Sequence, residues 1–269
     1  MLRGFGRLMA AGVLTLGLGA ATAILTAKSA AADVMADILS RGTVRVGVFA
    51  DVPPFGSPNA ARELEGFDID MANMVAKSLG VKLELVPTTA ANRIPYLITD
   101  RVDINIALMS VTPERAKQIM FTHPYVNTAL AVYGPKRIAV TSADTLAAFK
   151  VAAAKGTTEE LELTALNPKA NILRMEDNAT AVQAYLSGQS DLWAGNSLIS
   201  IELAKKNPTK EFDRKFVIRS APGHMGVKMG EHNLLQWLNT FVFSNTLNGN
   251  LAKLHQKWLG IPMDPLPPL

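Results

Sequence analysis

Residues 103–115 read Asp103-Ile104-Asn105-Ile106-Ala107-Leu108-Met109-Ser110-Val111-Thr112-Pro113-Glu114-Arg115. An apolar run leads into Ser110, and a helix start follows at once. Thr112 is a good N-cap, Pro113 suits the first helical position, and Glu114 suits the positive end of the helix dipole. A buried strand turning directly into a capped helix is a βα unit, the building block of a parallel sheet with helices on its faces. Arg115 falls one turn into the helix, so its guanidinium can fold back toward the strand's carboxyl end. There it would join the Ser110 hydroxyl and free backbone amides, the donor set a carboxylate requires. The same spacing also suits a capped surface helix whose Arg115 pairs with Glu114 or a neighbour.

Outward from this unit the alternation continues. Val44, Val46 and Val48 mark a strand over residues 43–49, and Met71, Met74, Val75 and Leu79 a helix over 69–79 stopped by Gly80. A strand over 81–86 and a short helix over 93–99 precede the quoted segment, whose strand is predicted at 104–107. Past Tyr133-Gly134-Pro135 a second series begins, with strands at 151–154, 172–175 and 192–194 and helices at 179–186 and 197–206. Two such series predict two small α/β lobes. Leu234, Leu235, Leu238, Val242 and Leu247 give a long terminal helix, Asn248-Gly249 stops it, and residues 251–258 form another. Trp237 and Trp258 read as core anchors. The tail from Pro262 to Leu269 has four prolines and is expected to be extended.

Lys155-Gly156-Thr157-Thr158-Glu159-Glu160 resembles the quoted segment in design. Gly156 permits a tight turn, and Thr157 with Glu160 has capping-box spacing, so a second helix N-terminus faces the carboxyl end of a strand. Open α/β sheets bind ligands at that end, and one anion site per lobe would face a common cleft. The bland reading is a well-capped helix.

Composition removes whole classes of function. Without cysteine there is no disulfide, zinc-thiolate site, Fe–S cluster or thiol nucleophile. His123, His224, His232 and His255 lack ligand spacing, so no metal and no cofactor is expected. Nucleotide-binding, hydrolase-elbow and metalloprotease motifs do not occur. Asn178-Ala179-Thr180 fits a glycosylation pattern but reads better as a helix cap. The formal net charge is +4, yet Arg3, Arg7 and Lys28 lie in an acid-free opening; without them Lys+Arg fall to 24 against 23 Asp+Glu, so nucleic acid is not an expected partner. That opening has a basic n-region, an apolar stretch from Leu8 to Leu25 and the small residues Ala30-Ala31-Ala32. It reads as a signal peptide over residues 1–32, with a single membrane anchor as the alternative.

At this point the chain resembles the amino-acid-type periplasmic solute-binding proteins of ABC importers, extracellular solute-binding family 3. The likeness runs through Gly42-Thr43-Val44-Arg45-Val46-Gly47-Val48, Pro54-Phe55, Gly66-Phe67-Asp68-Ile69-Asp70, Arg93-Ile94-Pro95-Tyr96-Leu97, Thr112-Pro113-Glu114-Arg115 and Lys155-Gly156-Thr157-Thr158. It continues in Leu186-Ser187-Gly188-Gln189 and Lys257-Trp258-Leu259-Gly260. The resemblance implies an α/β, two-lobe periplasmic-binding-protein fold (type II) with two hinge strands and a ligand cleft between the lobes. Residues 33–130 and 223–269 would form lobe 1 and residues 131–222 lobe 2.

By the same resemblance Arg115, Ser110 and the amide of Thr158 hold an α-carboxylate, and the Leu108 carbonyl meets an ammonium. The ligand-binding set is then Phe49, Val52, Leu108, Met109, Ser110, Arg115, Thr157, Thr158 and Asn196. Two positions depart from the family pattern: Asn196 replaces an Asp that pairs with the ammonium, and Val52 replaces a stacking aromatic, with Phe49 as its substitute. The implied function is a monomeric, exported, periplasmic receptor that captures an amino acid or related carboxylate and passes it to a membrane ABC permease. The competing readings are a receptor for a carboxylate without an amine and a cyclohexadienyl dehydratase, for which Glu159 is the candidate acid.

Overall fold

The structure, a computed structural model, describes residues 33–267; the expected signal peptide lies outside them. Helix α1 (Val34–Arg41) is capped by the Asp33 carboxylate, which accepts from the Met35 amide, and it ends at Gly42 with φ 68°. The first series then runs β1 (Thr43–Phe49), the hairpin β2 (Ser57–Pro58) and β3 (Leu64–Glu65), α2 (Phe67–Leu79), β4 (Lys82–Thr88), α3 (Arg93–Ile98), β5 (Ile104–Met109), α4 (Pro113–Ala116) and β6 (Ile119–Val126). The second runs β7 (Ala129–Gly134), a 3-10 turn at Ala143–Ala148, β8 (Lys150–Ala154), α5 (Thr158–Leu166), β9 (Asn171–Met175), α6 (Asn178–Leu186), β10 (Leu192–Asn196), α7 (Ser197–Lys206) and β11 (Asp213–Ser220). The chain closes with β12 (Gly223–Lys228), α8 (His232–Leu247) and α9 (Asn250–Leu259).

These strands form two five-stranded sheets, ordered β4-β1-β5-β12-β6 and β11-β7-β10-β8-β9. In the first, β1 lies parallel between β4 and β5, and β12 returns antiparallel between β5 and β6. In the second, β8 runs parallel to β9 and β10, and β7 pairs antiparallel with β10 and β11. The chain crosses between the sheets twice, over residues 127–128 and 221–222. This is a two-lobe α/β architecture with two connecting segments. Helices cover both faces of the parallel strands, which is why Val44, Val46, Val48, Ile104 and Ile106 are all fully buried.

Two strands extend past their apolar runs. β5 continues to Met109 because Met109 pairs with His224 of β12, and β10 continues to Asn196 because it pairs with Leu130 of β7. Helix α2 starts two residues earlier than its apolar spacing predicts. Asp68 in its first turn is fully buried, and its Oδ1 accepts from the Tyr125 hydroxyl at 2.8 Å. The α6 cap is Asp177 rather than Asn178: its carboxylate accepts from the Thr180 amide and the Thr180 hydroxyl completes a capping box. Within the proline-rich tail, Met263 and Leu266 pack against the core that Trp237 and Trp258 also border.

Candidate functional site

The carboxyl ends of β1 and β5 face the second lobe, and a narrow cavity of about 30 Å³ lies between them. Phe49, Val52, Arg93, Leu108 and Ser110 line it from one side, and Thr157, Thr158, Glu159, Asn178 and Asn196 from the other. At roughly 10–15 Å³ per water it has room for about two waters, so this is a closed arrangement of the lobes. A chamber of about 160 Å³ adjoins it through the shared walls Val52, Glu159, Asn178, Asn196 and Ile199. On the opposite side an open groove of about 700 Å³ shares Arg93 and Thr158 with it.

Arg115 does not line the central cavity; it faces the open groove, and its two Nη groups bolt the lobes together. Nη1 donates to the Ser110 carbonyl at 2.9 Å and to Thr158 Oγ1 at 2.8 Å, and Nη2 donates to the Gly156 carbonyl at 2.9 Å. Spacing put Ser110 beside Arg115 and the resemblance added Thr158; the structure brings the three within hydrogen-bond reach, through the Ser110 carbonyl rather than its hydroxyl. In the closed form, however, protein acceptors occupy the guanidinium. Met109 also lies outside the cavity: it is buried against Leu97, Val102, Ile119 and Phe121, with one wall toward the groove. Strand alternation accounts for this, since Met109 points to the face opposite Leu108.

The cation that does line the cavity is Arg93. It is 3% exposed; its Nε donates to the Ala90 carbonyl, its Nη1 to the carbonyls of Ala107 and Leu108, and its guanidinium lies 5.3 Å over the Phe49 ring. Burial, then the charge of Arg115, lowers its pKa; a guanidinium nonetheless stays charged at neutral pH. An arginine opening the apolar helix Arg93-Ile94-Pro95-Tyr96-Leu97 is a signal sequence reading could have used, because the helix dipole disfavours a cation there.

Leu108 adopts φ 47°, a conformation uncommon for a residue with a branched side chain. Its amide donates to the Tyr125 hydroxyl at 3.2 Å, and Tyr125 in turn donates to Asp68. The buried Asp68–Tyr125 pair therefore fixes the backbone that forms one cavity wall. Burial raises the Asp68 carboxyl well above the ordinary range.

On the second lobe, Thr157 Oγ1 accepts from the Glu160 amide at 3.3 Å and so caps α5. The Glu160 carboxylate accepts from the Gly156 amide and pairs with Arg174, so it reaches one residue beyond a regular capping box. The amides of Thr158 and Glu159 open the helix and have no intrahelical acceptor. Asn196 caps α7: its Oδ1 accepts from the Leu198 amide at 2.9 Å and from Thr128 Oγ1 at 2.8 Å. Because an amide N–H can only donate, the Leu198 bond fixes this orientation and leaves Nδ2 as the unspent group. In this arrangement the Asn196 oxygen is thus already engaged by two protein donors. Asn178, freed from capping by Asp177, lines the cavity and has a buried Nδ2 without a partner. Glu159 is 8% exposed, and burial raises its carboxyl, opposed by its own backbone amide and by Arg93 and Arg115.

Residues 44–261 match the bacterial extracellular solute-binding proteins, family 3. The chain belongs to this family. Among family members with curated names, it is 29% identical over 237 residues to the ABC transporter glutamine-binding protein GlnH of Bacillus subtilis, covering 86% of each chain. It is 30% identical over 188 residues to the cyclohexadienyl dehydratase of Pseudomonas aeruginosa, covering 65% of this chain and 70% of that one. Among solved structures, the solute receptor for L-cysteine of Neisseria gonorrhoeae superposes with a TM-score of 0.79 at 32% identity, covering 84% of this chain and 93% of that one. Among the described residues, no helix of this family 3 protein is long and apolar enough to cross a membrane.

Proposed function

We propose that this protein is an exported, periplasmic receptor that captures an amino acid in the interlobe cleft and delivers it to a membrane ABC permease. It acts as a monomer, without cofactor, after removal of residues 1–32. The observation that carries the reading is the narrow cavity at the strand carboxyl ends, walled by both lobes and lined by buried polar groups. Its relatives that bind glutamine and L-cysteine support the substrate class. Because the closed cavity holds only about two waters, the lobes part to admit a ligand. An entering carboxylate then takes the place of the Gly156 carbonyl and Thr158 hydroxyl on Arg115, beside the amides that open α5. A thermal-shift screen over amino acids and organic acids tests this. A ligand at about 100 times its dissociation constant stabilises by roughly 2.7 kcal/mol, and a screen without any shift contradicts the reading.

One observation favours a second reading, a cyclohexadienyl dehydratase. Glu159 is a buried carboxyl on the cavity wall with a raised pKa, which suits a general acid that protonates a leaving hydroxyl. The relationship to the Pseudomonas dehydratase supports it. Turnover of prephenate or arogenate by the purified protein decides between enzyme and receptor.

A further inference from the structure

The central cavity has one cationic wall residue, Arg93 from the first lobe, and one anionic wall residue, Glu159 from the second. Among the described residues Glu159 has no ion-pair partner, although it is 8% exposed. Arg93 and Arg115 offset its burial only from a distance, without a direct ion pair, and a buried carboxylate held this way gains from a cation that enters beside it. Two other acceptors near the cavity are already engaged. Asn196 Oδ1 already takes two hydrogen bonds, and the Leu108 carbonyl is shared with the Arg93 guanidinium. Asp51 lines only the adjoining chamber, and its Oδ2 accepts from the Ala179 amide across the cleft at 3.0 Å.

We propose that Glu159 is the residue that receives the ligand's α-ammonium, supplying the charge that Asn196 lacks. Arg93 and Arg115 then face the carboxylate, and the cavity complements a zwitterion. The inference rests on the receptor reading and names the amine as a required part of the ligand. It also makes Glu159 a specificity determinant: an acid of the same shape with hydroxyl in place of ammonium leaves the carboxylate uncompensated.

The test is calorimetry with the standard L-α-amino acids and L-cystine, followed by the α-hydroxy acid matching the tightest binder. The wild-type protein should favour the amino acid by at least about tenfold, or about 1.4 kcal/mol. Glu159→Gln should weaken the amino acid by about tenfold or more and leave the hydroxy acid within about threefold. The double variant Glu159→Gln with Asn196→Asp should regain the preference. Asp at 196 keeps one oxygen on the Leu198 amide and puts the other where Nδ2 now lies. Thermal melting of both variants confirms that they fold; if Glu159→Gln does not, Glu159→Asp, which keeps the charge, should retain the amine preference. Equal losses for both ligands, or an amino-acid affinity within about threefold of wild type, would overturn the assignment. So would a best ligand without an amine, which would leave the receptor itself standing. A screen with no ligand of either class sinks the receptor reading along with it.

Discussion

Asp68 shows how one residue governs the cleft without touching it. Its Oδ1 accepts from Tyr125, Tyr125 accepts from the Leu108 amide, and its Oδ2 is buried without a partner. Burial raises the folded-state pKa above the unfolded value. A group raised in this way contributes stability below its unfolded pKa, about 3.9, and loses it as pH rises through the folded value. Asp68→Asn keeps the acceptor for Tyr125 and removes the charge. The unfolding free energy of the variant relative to wild type should therefore climb from about pH 4 to pH 8. Denaturant melts across that range check this, and a flat difference would contradict it. At the same scale, Arg115→Ala strips donors from the carbonyls of Ser110 and Gly156 and the Thr158 hydroxyl. It should cost about 1–3 kcal/mol of stability and lower affinity for every carboxylate ligand. Melting and calorimetry read the two effects separately. Ligand affinity within about threefold of wild type would remove Arg115 from the binding event.

Among the elements, α5 and its preceding turn set how closely the lobes meet. Gly156 has φ 73°, and a Cβ there would lie 2.9 Å from Ala91 Cα. Gly156→Ala thus meets both backbone strain and a collision across the cleft. It should destabilise by about 1–2 kcal/mol from the backbone alone and weaken all ligands to a similar degree. An unchanged melting temperature and affinity would mean the lobes do not approach here. The elements were largely legible in the sequence because their periodicity is local: β1, β8 and α7 follow directly from apolar spacing. What local patterns missed depends on distant partners. The ends of β5 and β10 are strand because of β12 and β7, and Asp68 is helical because Tyr125 covers it. The cavity residues divide the same way. Ser110 and Thr158 follow from helix-start spacing, whereas Arg93 and Asn178 reach the cavity only through tertiary packing and a cap shifted to Asp177.

For the whole molecule, the two crossings at residues 127–128 and 221–222 let the lobes rotate, while four hydrogen bonds among the described residues bridge them in this arrangement. They run from Arg115 to Gly156, from Arg115 to Thr158, from the Ala179 amide to Asp51, and from Arg219 to the Val111 carbonyl. Asp51 sits at the N-terminus of α6, where its charge opposes the positive end of the dipole. Asp51→Asn should weaken that latch and lower affinity for all ligands alike, by about 0.3–1 kcal/mol. A selective loss for one ligand would instead place Asp51 in contact with the ligand. The two-lobe plan was visible in the chain order of strands and helices. The closed state was not, because it depends on hydrogen bonds between residues such as Asp51 and Ala179 that share no sequence pattern. The most direct measurement of the central claim is a calorimetric titration of the exported protein with individual L-amino acids. The account predicts saturable 1:1 binding of at least one of them, whereas an absence of heat across the series, with activity on arogenate or prephenate instead, would contradict it.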